Sequence, residues 1–220
     1  MGQSSVATSD ITNFQNAAGL TPKTPTLVLV PNSGTSTVYT GDEGESDLDL
    51  EYSGAIAPGA NILFVYTGNN QNSGVFNSLQ YAIDEKIAPI LSISYGTCET
   101  SLGASDYAML NAILAQAAAQ GQTVIAAAGD NGSTDCWENG DYASDNLTLA
   151  QATALAVDFP GSSQYVTSMG GSEFSAANVA VGNTTYWSPK GSTDTVSSAL
   201  SYIPEQVWNC LLYTSDAADE

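Results

Sequence analysis

Four short apolar runs constrain this chain more than any other feature: residues 26–30 (TLVLV), 61–67 (NILFVYT), 90–95 (ILSISY) and 123–129 (TVIAAAG). Each is short for a buried helix and too continuously apolar for a strand with one wet face. They read as strands covered on both sides, the condition of a parallel sheet. Between them lie stretches with helical spacing. Residues 8–19 open on Thr-Ser-Asp, carry Ile11 and Phe14, and end at Gly19. Residues 45–54, 76–85 (Leu79 and Ile83 on one face) and 102–120 (alanine-rich, ended by Gly121) follow the same logic. A fifth strand is expected at 165–171 and a peripheral hairpin at 178–187. The alternation predicts one α/β domain, with a mostly parallel central sheet and helices on both faces. In such folds, sites gather at the C-terminal ends of the strands.

The 220 residues are enough for a sizeable core. The charge balance narrows function. Asp and Glu total 23 against 3 Lys and Arg, with no histidine, for a formal charge of −20 at pH 7. Such a surface repels nucleic acid and anionic membranes. It is compatible with an acidic working environment, with a halophile, or with a merely soluble acidic protein. Without histidine the chain can build neither a Ser-His-Asp triad nor a histidine metal site. Acid/base work must fall to carboxylates or tyrosines. No signal peptide and no apolar run long enough to span a membrane are visible.

The stretch Glu43 to Glu51, EGESDLDLE, places five carboxylates in nine residues. On a helix Glu45 and Asp49, four apart, share a face. Two adjacent carboxyls cannot both ionise cheaply, so they share a proton and can accept and return it in acid. Leu48 and Tyr52 are expected to pack inward, while Asp42, Glu43 and Asp47 face solvent near the helix N-terminus. A plain acidic helix start is the other reading of the same spacing. Asp130 directly follows the strand 123–129. A buried carboxyl there could donate a hydrogen bond to an oxyanion; an ordinary Asp-Asn-Gly turn is the alternative.

In order along the chain, EGESDLDLEYSGAIAPGA, ILSISYG, TVIAAAGDNGSTD, VDFPGSSQYVTSMGG and ALSYIPEQVWN resemble the sedolisin family, the serine-carboxyl peptidases. The resemblance covers nearly all of residues 2–209. It implies a subtilisin-like three-layer fold and peptide-bond hydrolysis in acid, on peptide or protein substrates. Glu45 would be the general base, Asp49 its partner and Asp130 the oxyanion residue. Substrate would lie along Ser94, Tyr95 and Gly96, and Asp158 is a candidate for the specificity pocket or a structural turn carboxylate. The family's nucleophile lies in a Gly-Thr-Ser segment well after the oxyanion aspartate, and none follows Asp130 here. Gly34-Thr35-Ser36 precedes Glu45 and has the wrong order. The family's calcium site also lies later, so calcium is expected in the full-length enzyme and no metal ligand or cofactor within these residues. A folding propeptide and secretion are further implications.

Cys98 and Cys136 lie just past the ends of neighbouring strands, and a disulfide between them is expected; two isolated thiols are the alternative. Residues 210–220, CLLYTSDAADE, read as the translation of a transposase-type sequencing adapter, which would leave Cys210 unpaired. Residues 1–209 would then be a partial catalytic domain that is inactive alone. The competing class is a non-catalytic subtilisin-like binding module. An acidic calcium-binding protein is disfavoured, because no EF-hand-type loop is present.

Overall fold

A computed structural model describes residues 1–140, 143, 146–180, 182–189 and 198–208. The four apolar runs become strands β1 (Thr26–Leu29), β2 (Leu63–Tyr66), β3 (Ile90–Ile93) and β5 (Thr123–Ala127), and the expected fifth becomes β7 (Val166–Met169). All their pairings are parallel: β1 with β2, β3 with β5, and β5 with β7. The first two residues lie between β2 and β3. Gly2 bridges Tyr66 in parallel, and the Met1 amino group donates to the Ser92 carbonyl at 3.1 Å.

The period of two along the strands sorts the core onto two faces. On one face Val65, Leu91, Ile93, Val124 and Ala126 pack with Leu79, Ala82, Ile83, Leu114 and Ala117. These come from helices α3 (Val75–Asp84) and α4 (Glu99–Ala119). On the other face Phe64 and Tyr66 meet Ile11 of α1 (Thr8–Ala17) and Leu50 of α2 (Thr40–Ile56). This is the three-layer arrangement the alternation implied, and the helix between strands 3 and 5 shows why composition alone blurs boundaries. Helix α4 starts at Glu99 and breaks at Gly103, whose φ of +73° suits glycine far better than a residue with a Cβ.

Short strands lie at the sheet's carboxyl edge. β4 (Thr97–Cys98) pairs antiparallel with β6 (Asp158–Phe159), setting Cys98 opposite Asp158. Cys98 and Cys136 are joined in a disulfide with Cα atoms 5.0 Å apart. The bridge ties the exit of the β3 segment to the 3-10 turn Asp135–Gly140 that follows β5. The hairpin expected at 178–187 is not what forms. Residues Ala176–Val179 are a short helix, and the antiparallel pair is β8 (Ser172–Phe174) with β9 (Glu205–Val207). The Ser175 hydroxyl explains the difference, since it accepts from the Asn178 N–H and caps a helical turn there. Asn209, Cys210 and the tail 210–220 lie outside the described residues.

Candidate active site

Helix α2 starts at Thr40 rather than at residue 45, which brings Asp42 and Glu43 into its first turn. Backbone N–H groups there favour negative charge. The inward face differs from the sequence expectation. Ser46 and Leu50 are the buried pair, while Leu48 and Tyr52 are 52% and 58% exposed. Leu50 fits among Val6, Ile11, Phe64 and Tyr66; Tyr52 instead lies against Phe14, ring centroids 5.5 Å apart. Turning the 46/50 row inward points the neighbouring 45/49 row at the strand exits.

At those exits Ser94 Oγ donates to Asp49 Oδ1 at 2.7 Å. Partial burial, above all, raises the Glu45 carboxyl above its ordinary value. The charge of Asp49 adds to the shift, the Ser94 hydroxyl opposes it, and Asp130 and Asp42 add smaller repulsions. Glu45, Asp49 and Asp130 therefore share one electrostatic environment, although they come from a helix and from the exit of β5. Asp130 itself is exposed, not buried as the sequence position suggested, because Gly129 turns the chain outward with a φ of +82°.

The acids expected to be a solvated fringe are also partly engaged. Tyr95 OH donates to Asp42 Oδ1 at 2.6 Å, and Glu43 accepts from the Ala7 N–H at 3.2 Å. Glu43, Asp47 and Asp10 bring carboxylate oxygens within 4.8 Å of one another at the helix's outer edge. Burial first, then Glu43 and Asp10, raise Asp47; burial, then Asp47 and Asp10, raise Glu51.

Beneath the strand exits sit two buried acids, Asp135 and Asp158, only 4% and 5% exposed. Burial raises Asp135, a hydrogen bond with Asp158 opposes this, and Asp130 and Glu99 add repulsion. The Asp158 carboxyl packs directly under Gly96, so no side chain fits at that position. Sequence reasoning missed Asp42 and Asp135. Asp42 could have been found, since 42, 45 and 49 form one helical stripe. Asp135 could not, because its partner Asp158 lies 23 residues later in the chain, on β6. Ser36, exposed in the loop before α2, pairs with Tyr66 OH at 2.9 Å.

The four raised carboxyls share one sign. A carboxyl whose folded value exceeds its unfolded one holds its proton more tightly in the folded chain. Its stabilising contribution is complete below the ordinary values of 3.8 for Asp and 4.5 for Glu. That contribution is lost as pH rises through the raised folded values. The formal charge of −20 at pH 7 adds self-repulsion in the same direction. The urea midpoint should therefore fall between about pH 4 and pH 7. A midpoint that rises across this window would contradict the raised values.

The comparisons agree with this architecture. A family model described as "Subtilase family" matches residues 33–211. The chain is 37% identical over 179 residues to kumamolisin of Bacillus sp. (strain MN-32), a match covering 79% of this chain and 30% of that protein. It is 28% identical over 215 residues to sedolisin of Pseudomonas sp. (strain 101), covering 95% of this chain and 32% of that one. With human tripeptidyl-peptidase 1 it shares 33% identity over 135 residues, 59% of this chain and 22% of the relative. Among solved structures, Pseudomonas sedolisin, a serine-carboxyl proteinase complexed with pseudo-iodotyrostatin, superposes with a TM-score of 0.61 at 24% identity. That alignment covers 77% of this chain and 46% of the other. The chain thus spans about a third or less of the length of these curated relatives. It belongs to the subtilase family, in its sedolisin branch.

Proposed function

We propose that the full-length protein is an acid-acting serine-type peptidase that hydrolyses peptide bonds through an acyl-enzyme. The observation that supports this most is the convergence of Glu45, Asp49 and Asp130 at the strand exits, with Asp49 held by Ser94. A serine from a segment after Asn209 would attack the scissile carbonyl carbon and pass its proton to Glu45. In its protonated form Asp130 would donate a hydrogen bond to the oxyanion. Collapse of the tetrahedral intermediate breaks the C–N bond, and Glu45 returns the proton to the leaving amine. Water, activated by the same carboxyl, then releases the acyl group. Asp49 would share the Glu45 proton and orient it.

Peptide substrate would run along Ser94, Tyr95 and Gly96. Asp158, packed under Gly96, would shape the floor there rather than reach into solvent. The relative named tripeptidyl-peptidase 1 makes cleavage at peptide ends one possible mode, and cleavage within chains is the other. Calcium, a folding propeptide and secretion are part of the same reading and concern the full-length protein. Among the described residues, no helix is long and apolar enough to cross a membrane.

The test is cleavage of unstructured peptides between pH 3 and pH 7 (roughly the window for perturbed carboxylates). The full-length protein should cleave best in acid, residues 1–209 alone should not, and Ser36→Ala should leave the rate unchanged. A full-length parent with no Gly-Thr-Ser segment after Asn209, and no cleavage at any pH, would instead favour a binding module.

A further inference from the structure

Helix α2 has a small apolar footing for its length. It runs 17 residues, of which only Ser46 and Leu50 are buried. One leucine in a cluster opposes lifting of the helix more than it opposes rotation about the axis, because burial is non-directional. Slippage by a single residue would turn the helix by about 100° and carry Glu45 out of the cleft. Apolar packing alone does not set that register.

Two hydroxyls from consecutive residues do. Ser94 Oγ donates to Asp49 Oδ1 at 2.7 Å, and Tyr95 OH donates to Asp42 Oδ1 at 2.6 Å. Asp42 lies three residues before Glu45 and Asp49 four after, so the two bonds straddle Glu45 along one stripe, about 10 Å of helix axis. The long tyrosine reaches toward the helix N-terminus, and the short serine holds the later turn. A phenol donating to a carboxylate makes a charge-assisted bond, stronger than a neutral one. Asp42 Oδ1 also accepts from Gln3 Nε2 at 3.3 Å, while Oδ2 is buried without a hydrogen-bond partner.

We propose that Tyr95 and Asp42 are a positioning pair that pins the first turn of α2 to the substrate strand and so holds Glu45 toward Asp130. This builds on the acid/base reading of Glu45 and gives Tyr95 a side-chain role beyond backbone contact with substrate. Neither residue touches the reacting atoms. The charged groups around Glu45 are Asp42 and Asp49 on its own helix and Asp130 from the β5 exit; the Met1 amino group faces Asp49. Removing the charge of Asp42 therefore acts on Glu45 in two separable ways, through position and through titration.

A double-mutant cycle in the full-length enzyme separates them. Tyr95→Phe and Asp42→Ala should each lower kcat about 10- to 100-fold, with KM changed less than about 3-fold, since small misplacement of a catalytic group costs on this scale. The double variant should fall no further than either single one. Asp42→Asn keeps an oxygen for the phenol and should restore kcat to within about 3-fold of wild type. It removes a repulsion from Glu45, so the acid limb of the kcat/KM profile should move to lower pH. Additive losses, or a Tyr95→Phe enzyme with wild-type kcat, would overturn the pair. Should Tyr95→Phe fail to fold, the folded Asp42 variants decide: equal losses in Asp42→Ala and Asp42→Asn overturn the proposal, and rescue by asparagine supports it. Glu45→Gln run alongside distinguishes the two readings. If that variant keeps full turnover, the acid/base assignment fails; if it is inactive while Tyr95→Phe keeps wild-type kcat, only the positioning pair fails.

Discussion

Glu45→Gln should lower turnover of the full-length enzyme by about 10²–10⁴, the usual worth of a positioned general acid/base. Glutamine keeps the shape and the hydrogen-bonding reach of glutamate but cannot accept the nucleophile's proton. The effect should be largest at the acidic optimum. There the carboxyl, raised by burial and by Asp49, Asp130 and Asp42, exchanges its proton most readily in both directions. Asp130→Ala should cost about 10²–10³ in kcat, the worth of one oxyanion donor, with little change in KM. These residues come from separate elements, so each loss should appear without loss of folding. Steady-state kinetics at several pH values on both variants provide the check. Turnover that survives Glu45→Gln but collapses with Ser36→Ala would reverse the assignment.

Gly129→Ala should be among the most destabilising single substitutions in the chain. A Cβ there would run into the Asp135 carboxyl and come within 2.9 Å of Asp158 Cβ. Both acids are buried and bonded to each other, so neither can swing away. The backbone φ of +82° adds the cost of a left-handed conformation. That strain is about 1–2 kcal/mol, and overpacking adds about 1–3 kcal/mol. At about 2–4 °C per kcal/mol for a chain of this size, Tm should fall by roughly 5–20 °C. Gly19→Ala is the control: its φ is +69°, yet nothing lies within 4 Å of the added carbon. It should show the backbone cost alone. Thermal melts that put the two variants at the same Tm would contradict the packing of Asp135 and Asp158 under the strand exit.

The parallel strands were legible in the sequence as short apolar runs set between helical spacings, although β3 is covered on one face only: Leu91 and Ile93 are buried while Ile90 and Ser92 are exposed. Leu79 and Ile83 were legible as core residues for a related reason: α3 has one clear apolar stripe. Glu45 and Asp49 could be paired from spacing, since a helix brings residues four apart together whatever surrounds it. Helix α2 is where this kind of reading stops. Its acids are spread around the axis, so periodicity could not say which row turns inward. Leu48 and Tyr52 looked like the buried pair, but the space beneath the helix accepts Leu50 beside Phe64, with small Ser46 one turn away. Asp42 looked solvated until Tyr95, 53 residues later, reached it. Asp130 looked buried because it follows a buried strand, whereas Asp135, which the sequence did not single out, is the carboxyl shut inside. Covalent geometry and local periodicity act over a few residues, and those features could be read in order along the chain. The burial and pairing of each acid depend on what the opposite strand or loop brings to the same place, and that only the tertiary structure decides.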